Sequence, residues 1–265
     1  MALSVNRFKQ WLGESRVPVG TWLMTASPNV AEAIGFAGFD YVVLDMEHVP
    51  VDVPQAIAIM QAVAGTPADL VVRLPWNDSV MVKRVLDSGA KTLMFPYIQN
   101  AEEARQAVAS TRYPGRGFRG VAAVHRASRY GTVKNYLQEA EREIGVILQL
   151  ETPEAIAALP EIAEVDGIDA LFIGPGDLAA AMGHIGDIRH SEVQDAIGEA
   201  VVGCRAHGLP CGIVGADPAL VGEYIAKGFA FVAVGSDMSL MMGRAQEYLA
   251  TLRGETSSTE NSGVY

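Results

Sequence analysis

The sequence predicts a closed parallel (β/α)8 barrel, and three observations carry that reading. Eight short apolar runs recur at intervals of roughly 25 to 50 residues, which leaves room for one helix between neighbouring strands. Helical periodicity fills the gaps, with glycines closing several of the helices, as at Gly89, Gly208 and Gly228. Three of the runs stop at polar groups able to do chemistry: Asp45, Glu47 and His48 after one, Gln149 and Glu151 in another, Gly176 and Asp177 after a third. Polar groups just past the C-terminal ends of strands buried on both faces mark the catalytic rim of such a barrel.

Taken in order, the expected strands are Val19–Met24, Tyr41–Asp45, Leu70–Leu74, Thr92–Pro96, Val146–Leu150, Ala170–Ile173, Cys211–Val214 and Phe231–Val234. Each is rich in β-branched or aliphatic residues. The expected helices are Pro28–Ala37, Val53–Val63, Ser79–Asp87, Ala101–Ser110, Glu192–His207, Pro218–Lys227 and Ser236–Leu252. Ser27 stands as N-cap before Pro28 at the first helical position. An open doubly wound sheet is the structural alternative, but Thr25-Ala-Ser-Pro occupies the place of its Gly-rich turn.

At 265 residues the chain fits one barrel, so residues 1–253 are expected to form a single domain. Residues 254–265 lack any apolar period and are expected to be a disordered tail. Net charge is −11, from 20 Lys+Arg against 31 Asp+Glu, which argues against nucleic acid or an anionic membrane as partner. Cys204 and Cys211 have no metal-type spacing and read as buried reduced thiols. The N-terminus is too polar for a signal peptide, and no apolar run is long enough to span a bilayer. The expectation is a soluble cytoplasmic protein.

Glu151 and Asp177 follow strands five and six, which are neighbours in a barrel. Oxygen-only ligation suits Mg2+ or Mn2+. The competing reading makes helix N-caps of this region, with Asp177 before one helical run and Thr152-Pro153 opening another. His48, beside Asp45 and Glu47, can relay a proton near neutral pH. Arg73 ends the third strand inside an apolar run and reads either as a structural ion pair or as a clamp on a developing enolate oxygen.

Gly115-Arg-Gly117-Phe-Arg-Gly120 matches a dinucleotide fingerprint in letters only, because no strand precedes it and no helix opens from it. Arg116, Arg119, Arg126 and Arg129 in the same long loop suggest a flexible anion-handling lid or a solvated basic loop. None of the five lysines ends a strand on the rim, so carbonyl chemistry here is expected to rely on a metal rather than a Schiff base.

Five ordered motifs resemble the HpcH/HpaI family of metal-dependent (class II) pyruvate aldolases: Asp45-Met-Glu47-His48, Val72-Arg73-Leu-Pro-Trp76-Asn-Asp78, Arg119-Gly-Val with Arg126-Ala-Ser-Arg129-Tyr130, Gln149-Leu-Glu151-Thr-Pro-Glu-Ala155, and Phe172-Ile-Gly174-Pro-Gly176-Asp177-Leu178. The resemblance spans about residues 5 to 252. It implies reversible cleavage of a 4-hydroxy-2-oxo acid, such as 4-hydroxy-2-oxoheptanedioate, to pyruvate and an aldehyde through a metal-bound pyruvate enolate. On that footing Glu151 and Asp177 hold Mg2+ or Mn2+, with Co2+ a further candidate. Backbone N–H groups at Gly176 and Asp177 receive the pyruvate carboxylate, and Arg73 steadies the enolate oxygen with Gln149 nearby. His48 moves the proton, oriented by Asp45 or by Asp87 of an adjacent subunit, and Arg126 is a candidate for the distal carboxylate of the aldehyde. The same likeness implies a homo-hexamer, a dimer of trimers exchanging the last helix. Gly176 departs from the alanine expected in several relatives. The alternatives are a 2-dehydro-3-deoxyglucarate- or rhamnonate-type aldolase, an oxaloacetate decarboxylase, or a CoA-thioester lyase of the same superfamily. A non-catalytic metabolite-binding barrel is disfavoured by the joint presence of acid/base histidine, arginine and metal ligands. Trp22, Val124, His125 and Val214 are the residues expected on the aldehyde side.

Overall fold

A computed structural model describes residues 3–255. Eight parallel strands close on themselves in sequence order: β1 Val19–Leu23, β2 Tyr41–Asp45, β3 Asp69–Arg73, β4 Thr92–Phe95, β5 Gly145–Leu150, β6 Ala170–Ile173, β7 Cys211–Gly215 and β8 Phe231–Ser236. All eight expected strands are present with ends within two residues. The helices are α1 Arg7–Trp11, α2 Pro28–Phe36, α3 Val53–Val63, α4 Ser79–Asp87, α5 Ala101–Thr111, α6 Tyr136–Glu139, α7 Pro153–Ala157, α8 Leu159–Ala163, α9 Pro175–Ala181, α10 Ser191–Ala206, α11 Pro218–Lys227 and α12 Asp237–Arg253.

The two-residue period of a strand sorts its side chains between two cores. Outward residues such as Val42, Leu44, Val72, Leu148 and Ile173 pack beneath the helices. Inward residues fill the barrel, among them Tyr41, Val43, Val71, Ile147 and Phe172. Continuing the inward parity by one step places Asp45 on β2, Arg73 on β3 and Gln149 on β5 on the inner face near the C-terminal mouth. Those three are buried, so the pattern that builds the core also delivers its polar groups to one end.

The other end is plugged. Phe8 on α1 meets Tyr41 and Phe231 edge-on, with ring centroids 5.0 and 5.3 Å apart. The Tyr41 and Phe231 rings occupy space that a side chain at Gly20 or Gly212 would fill. Acidic residues at the strand starts hold α1 in place: Asp69 accepts from the Phe8 N–H at 2.9 Å, and Asp169 pairs with Lys9 at 2.9 Å.

Ser27 caps α2 and accepts from the Val30 N–H. Cys204 and Cys211 are both free and buried. No described helix is long and apolar enough to cross a membrane. Gly254, in a left-handed conformation, ends α12. Of the segment expected as a tail, residues 256–265 lie outside the described residues.

Candidate active site

The mouth is organised around a buried ion pair. Asp45 and Arg73 are register partners at the ends of β2 and β3. Asp45 accepts from Arg73 Nε at 3.0 Å and from Nη2 at 2.8 Å, the two-pronged geometry that favours arginine over lysine. Arg73 Nη1 lies 3.0 Å from Glu47 Oε2, and the guanidinium sits 4.3 Å from the centre of the Trp22 ring. The structural ion pair expected for Arg73 is therefore present.

Asp45 also accepts from the backbone N–H groups of Glu47 and His48, at 2.9 and 3.3 Å. It fixes the turn that carries His48, rather than the imidazole itself. The ring instead faces Glu47, with Nε2 4.0 Å from Oε2, and its side chain is 52% exposed.

Across the mouth, Glu151 continues the inward parity of Gln149 beyond the end of β5. Its Oε2 accepts from Gln149 Nε2 at 2.5 Å, and its Oε1 from the Tyr97 N–H at 2.7 Å. Tyr97 adopts φ 55°, a left-handed conformation rare outside glycine. A Cβ on Gly174 would run into the Glu151 carboxylate and the Gln149 amide, so only glycine lets β6 approach this pair. Burial, reinforced by the charges of Asp177 and Glu47, pushes the Glu151 carboxyl up to about 8. Glu47 is raised as well, by burial first, and against the pull of Arg73 and His48.

Asp177 lies in the first turn of α9, where Gly174 is the N-cap. The capping alternative is thus corrected for Asp177 and holds for Thr152. Asp177 caps nothing, and Thr152 caps α7 by accepting from the Ala155 N–H at 3.1 Å. Gly176 follows Pro175 in the same turn of α9, half-buried. The Gln149 Oε1 atom is buried with no hydrogen-bond partner among the described residues.

This donor set fits a hard divalent cation. Glu47, Glu151 and Asp177 repel one another at a mouth where Glu151 is buried, Glu47 half-buried and Asp177 exposed, and where Arg73 is already committed to Asp45 and Glu47. A carboxylate held up to about 8 by burial and by its acidic neighbours is one that a cation would stabilise in its charged form.

The remaining expected residues gather elsewhere in the chain. Asp87, at the end of α4, accepts from Arg119 Nη2 at 2.7 Å and lies 3.7 Å from His125 Nε2. Burial lowers the His125 pKa. Arg126 donates to the Ser88 carbonyl at 2.7 Å and lines a cavity of ≈580 Å³ with Met60, Lys91 and Glu143, at the N-terminal end of the barrel. Within one chain, Asp87 and Arg126 are thus not brought to the mouth. Val124 is exposed and His125 faces Asp87, whereas Trp22 and Val214 do lie inside the barrel.

The arginine-rich loop is also corrected, being neither a free lid nor a merely solvated segment. Arg119 is buried on Asp87, and Arg116 pairs with Glu141 at 2.9 Å. The glycine-rich stretch folds onto α5, with the Phe118 N–H donating to the Ala109 carbonyl. A Cβ at Gly117 would strike that same backbone.

Residue parity could have exposed Glu47 as a third carboxylate, two positions beyond inward-facing Asp45. Tyr97 left no signal, because its contribution is a backbone N–H.

A closed parallel barrel whose C-terminal mouth gathers clustered carboxylates and a buried arginine has the build of a barrel enzyme's active site. The chain belongs to the HpcH/HpaI aldolase/citrate lyase family, whose model matches residues 19–243. It is 52% identical over 254 residues to a 2-dehydro-3,6-dideoxy-6-sulfogluconate aldolase of Pseudomonas putida, covering 96% of this chain and all of that one. It is 46% identical over 261 residues to a 4-hydroxy-2-oxo-heptane-1,7-dioate aldolase of Salmonella heidelberg, covering 98% and 99% of the two chains. The crystal structure of an HpcH/HpaI aldolase/citrate lyase family protein from Burkholderia cenocepacia superposes with a TM-score of 0.91 at 38% identity, covering 94% of this chain and 100% of that one. The chain is an enzyme, a carbon–carbon lyase of the aldolase type.

Proposed function

We propose that this aldolase cleaves a 4-hydroxy-2-oxo acid to pyruvate and an aldehyde at the mouth formed by Arg73, Glu151 and Asp177. The observation that carries the reading is the buried, acid-crowded Glu151, held by Tyr97 and Gln149. Glu151 and Asp177 would hold Mg2+ or Mn2+, with Co2+ a further candidate. When bound, that cation supplies Lewis-acid polarisation of the substrate's keto oxygen.

The chain's own groups do the rest. First-turn N–H groups of α9, at Gly176 and Asp177, receive the pyruvate carboxylate. Arg73, rigidly held by Asp45, presents fixed positive charge where negative charge develops on the keto oxygen. His48, exposed and beside Glu47, takes the proton of the C4 hydroxyl. As that O–H bond breaks, the C4–O bond becomes the aldehyde carbonyl. The C3–C4 electron pair becomes the C2–C3 π bond of the pyruvate enolate as the keto π pair moves onto oxygen, and the proton held by His48 is then returned to C3.

The relatives' substrates place two aldehydes in contention: the one released from 4-hydroxy-2-oxo-heptane-1,7-dioate and the one released from the sulfogluconate compound. Both substrates carry an anionic group at the end remote from the ketoacid, for which Arg126 is the candidate partner. Since Arg126 and Asp87 lie away from the mouth of their own chain, their roles require a neighbouring subunit. A homo-hexamer supplies one. The α12 helix buries only Asp237 and leaves Met241, Tyr248, Leu249 and Leu252 exposed, an apolar face suited to a second copy. We place the enzyme in the cytoplasm, with residues 1–253 as one domain.

The test combines pyruvate with a panel of aldehydes under added Mn2+, scored by product formation, with chelator and light-scattering controls. Product from anionic aldehydes, lost in chelator and restored by Mn2+ or Mg2+, is expected. Full activity in excess chelator overturns the metal reading. A monomeric species with full activity overturns the role of the neighbouring subunit.

A further inference from the structure

Two imidazoles and a carboxylate meet in the segment joining α9 to α10, apart from the mouth. His184 Nε2 lies 2.9 Å from Glu192 Oε2. The His184 and His190 rings stack with centroids 3.5 Å apart and planes at 15°. One ligand atom from each of the three side chains falls within 4.8 Å of the others, the one such group of three among the described residues. His190 Nδ1 is buried and has no hydrogen-bond partner among the described residues.

The backbone holds this group in place. Gly183 and Gly186, at φ 84° and 83°, turn the chain. The His184 N–H donates to the Ala179 carbonyl at 2.7 Å, which ties the segment to α9. Gln194 Nε2 donates to the Ile188 carbonyl at 2.7 Å and ties it to α10, while the Ile188 side chain is buried.

We propose that His184, His190 and Glu192 form a second metal site, taking a borderline transition cation such as Zn2+. Ligand bonds of about 2.0–2.2 Å place neighbouring donors roughly 3 to 3.5 Å apart, so binding would draw the three donors together and turn one imidazole out of the stack. Nitrogen-rich ligation selects Zn2+, Co2+, Ni2+ or Cu2+ over Mg2+ and Mn2+, the reverse of the all-oxygen mouth. Such an ion would join the end of α9 to the start of α10. Asp177 stands near the other end of α9, so the ion would stiffen the segment that presents it.

The test is equilibrium dialysis of chelator-stripped, full-length protein against Zn2+, with bound metal measured by mass spectrometry and parallel Co2+ absorption spectra. His190→Gln and Glu192→Gln are expected to lower the Zn2+ bound by one ion per chain, or to weaken that ion at least about tenfold for the exposed Glu192. Both are expected to diminish the visible Co2+ band. Glu151→Gln is expected to leave this ion and its Co2+ band in place, so the mouth can fail without affecting the result. Because Glu192 is exposed, its substitution also covers the case in which His190→Gln does not fold. Unchanged Zn2+ stoichiometry, affinity and Co2+ spectrum in the variants would leave only an ordinary His184–Glu192 ion pair and overturn the site.

Discussion

Asp45 and Arg73 face each other across adjacent strands, joined by hydrogen bonds of 3.0 and 2.8 Å, with neither side chain exposed to solvent. Removing one partner strands the other charge, at a cost of about 3–5 kcal/mol. Asp45→Ala is therefore expected to lower the urea midpoint substantially even though it touches no substrate in the proposed reaction. An unchanged midpoint would show that Glu47 alone satisfies Arg73. Arg73→Ala carries the same stability cost and, in the folded fraction, should lower kcat far more than it raises KM.

The metal-free protein should become less stable as pH rises from mildly acidic to slightly alkaline. Glu151 has its folded-state pKa raised to about 8 from an ordinary value of 4.5. The folded state therefore binds this proton more tightly than the unfolded chain does, and its contribution is fully present below about 4.5 and lost as pH rises to about 8. Glu151→Gln removes the titration and should flatten that part of the stability–pH curve. By the same competition, Mn2+ should bind more weakly as pH falls below 8. A melting series at several pH values, with and without Mn2+, reads both effects, and an identical slope in the variant would contradict the assignment.

Tyr97 contributes to the site through its N–H, not its ring. Tyr97→Gly keeps the donor to Glu151 and accepts φ 55° without strain, so Mn2+ affinity should be nearly unchanged. Tyr97→Pro removes the N–H and cannot adopt positive φ. It should weaken Mn2+ binding by about 10- to 100-fold. Titration calorimetry of both variants separates the two contributions. The Tyr97 ring stacks on Trp76, so a large loss with glycine would instead point to that stack.

Most of the barrel was legible because each strand is a short run rich in β-branched or other apolar residues, and each long helix keeps its apolar period. The mouth was legible for the same reason. Inward parity puts Asp45, Arg73 and Gln149 near the C-terminal ends of their strands facing the barrel interior, and all three are buried there. The segment from Tyr113 to Tyr130 has no period, and its arginines are placed by tertiary partners far away in sequence. Arg119 is drawn to Asp87 and Arg126 to the carbonyl of Ser88, neither of which local spacing could signal. The short helices α6 and α8 escaped for a related reason: four or five residues cannot display a helical repeat.

Gly174→Ala tests how tightly the mouth is built. Glycine here has φ −90°, a conformation open to alanine, so backbone strain plays no part. The added methyl would instead press on the Glu151 carboxylate and the Gln149 amide. Either Glu151 turns away from Tyr97, or β6 withdraws and carries Asp177 with it. Both outcomes separate groups proposed to share one cation. Mn2+ affinity and kcat should therefore fall together by at least about tenfold, and the metal-free protein should lose about 1–3 kcal/mol of stability to the overpacked contact. Wild-type Mn2+ affinity in this variant would mean that Glu151 is not a ligand.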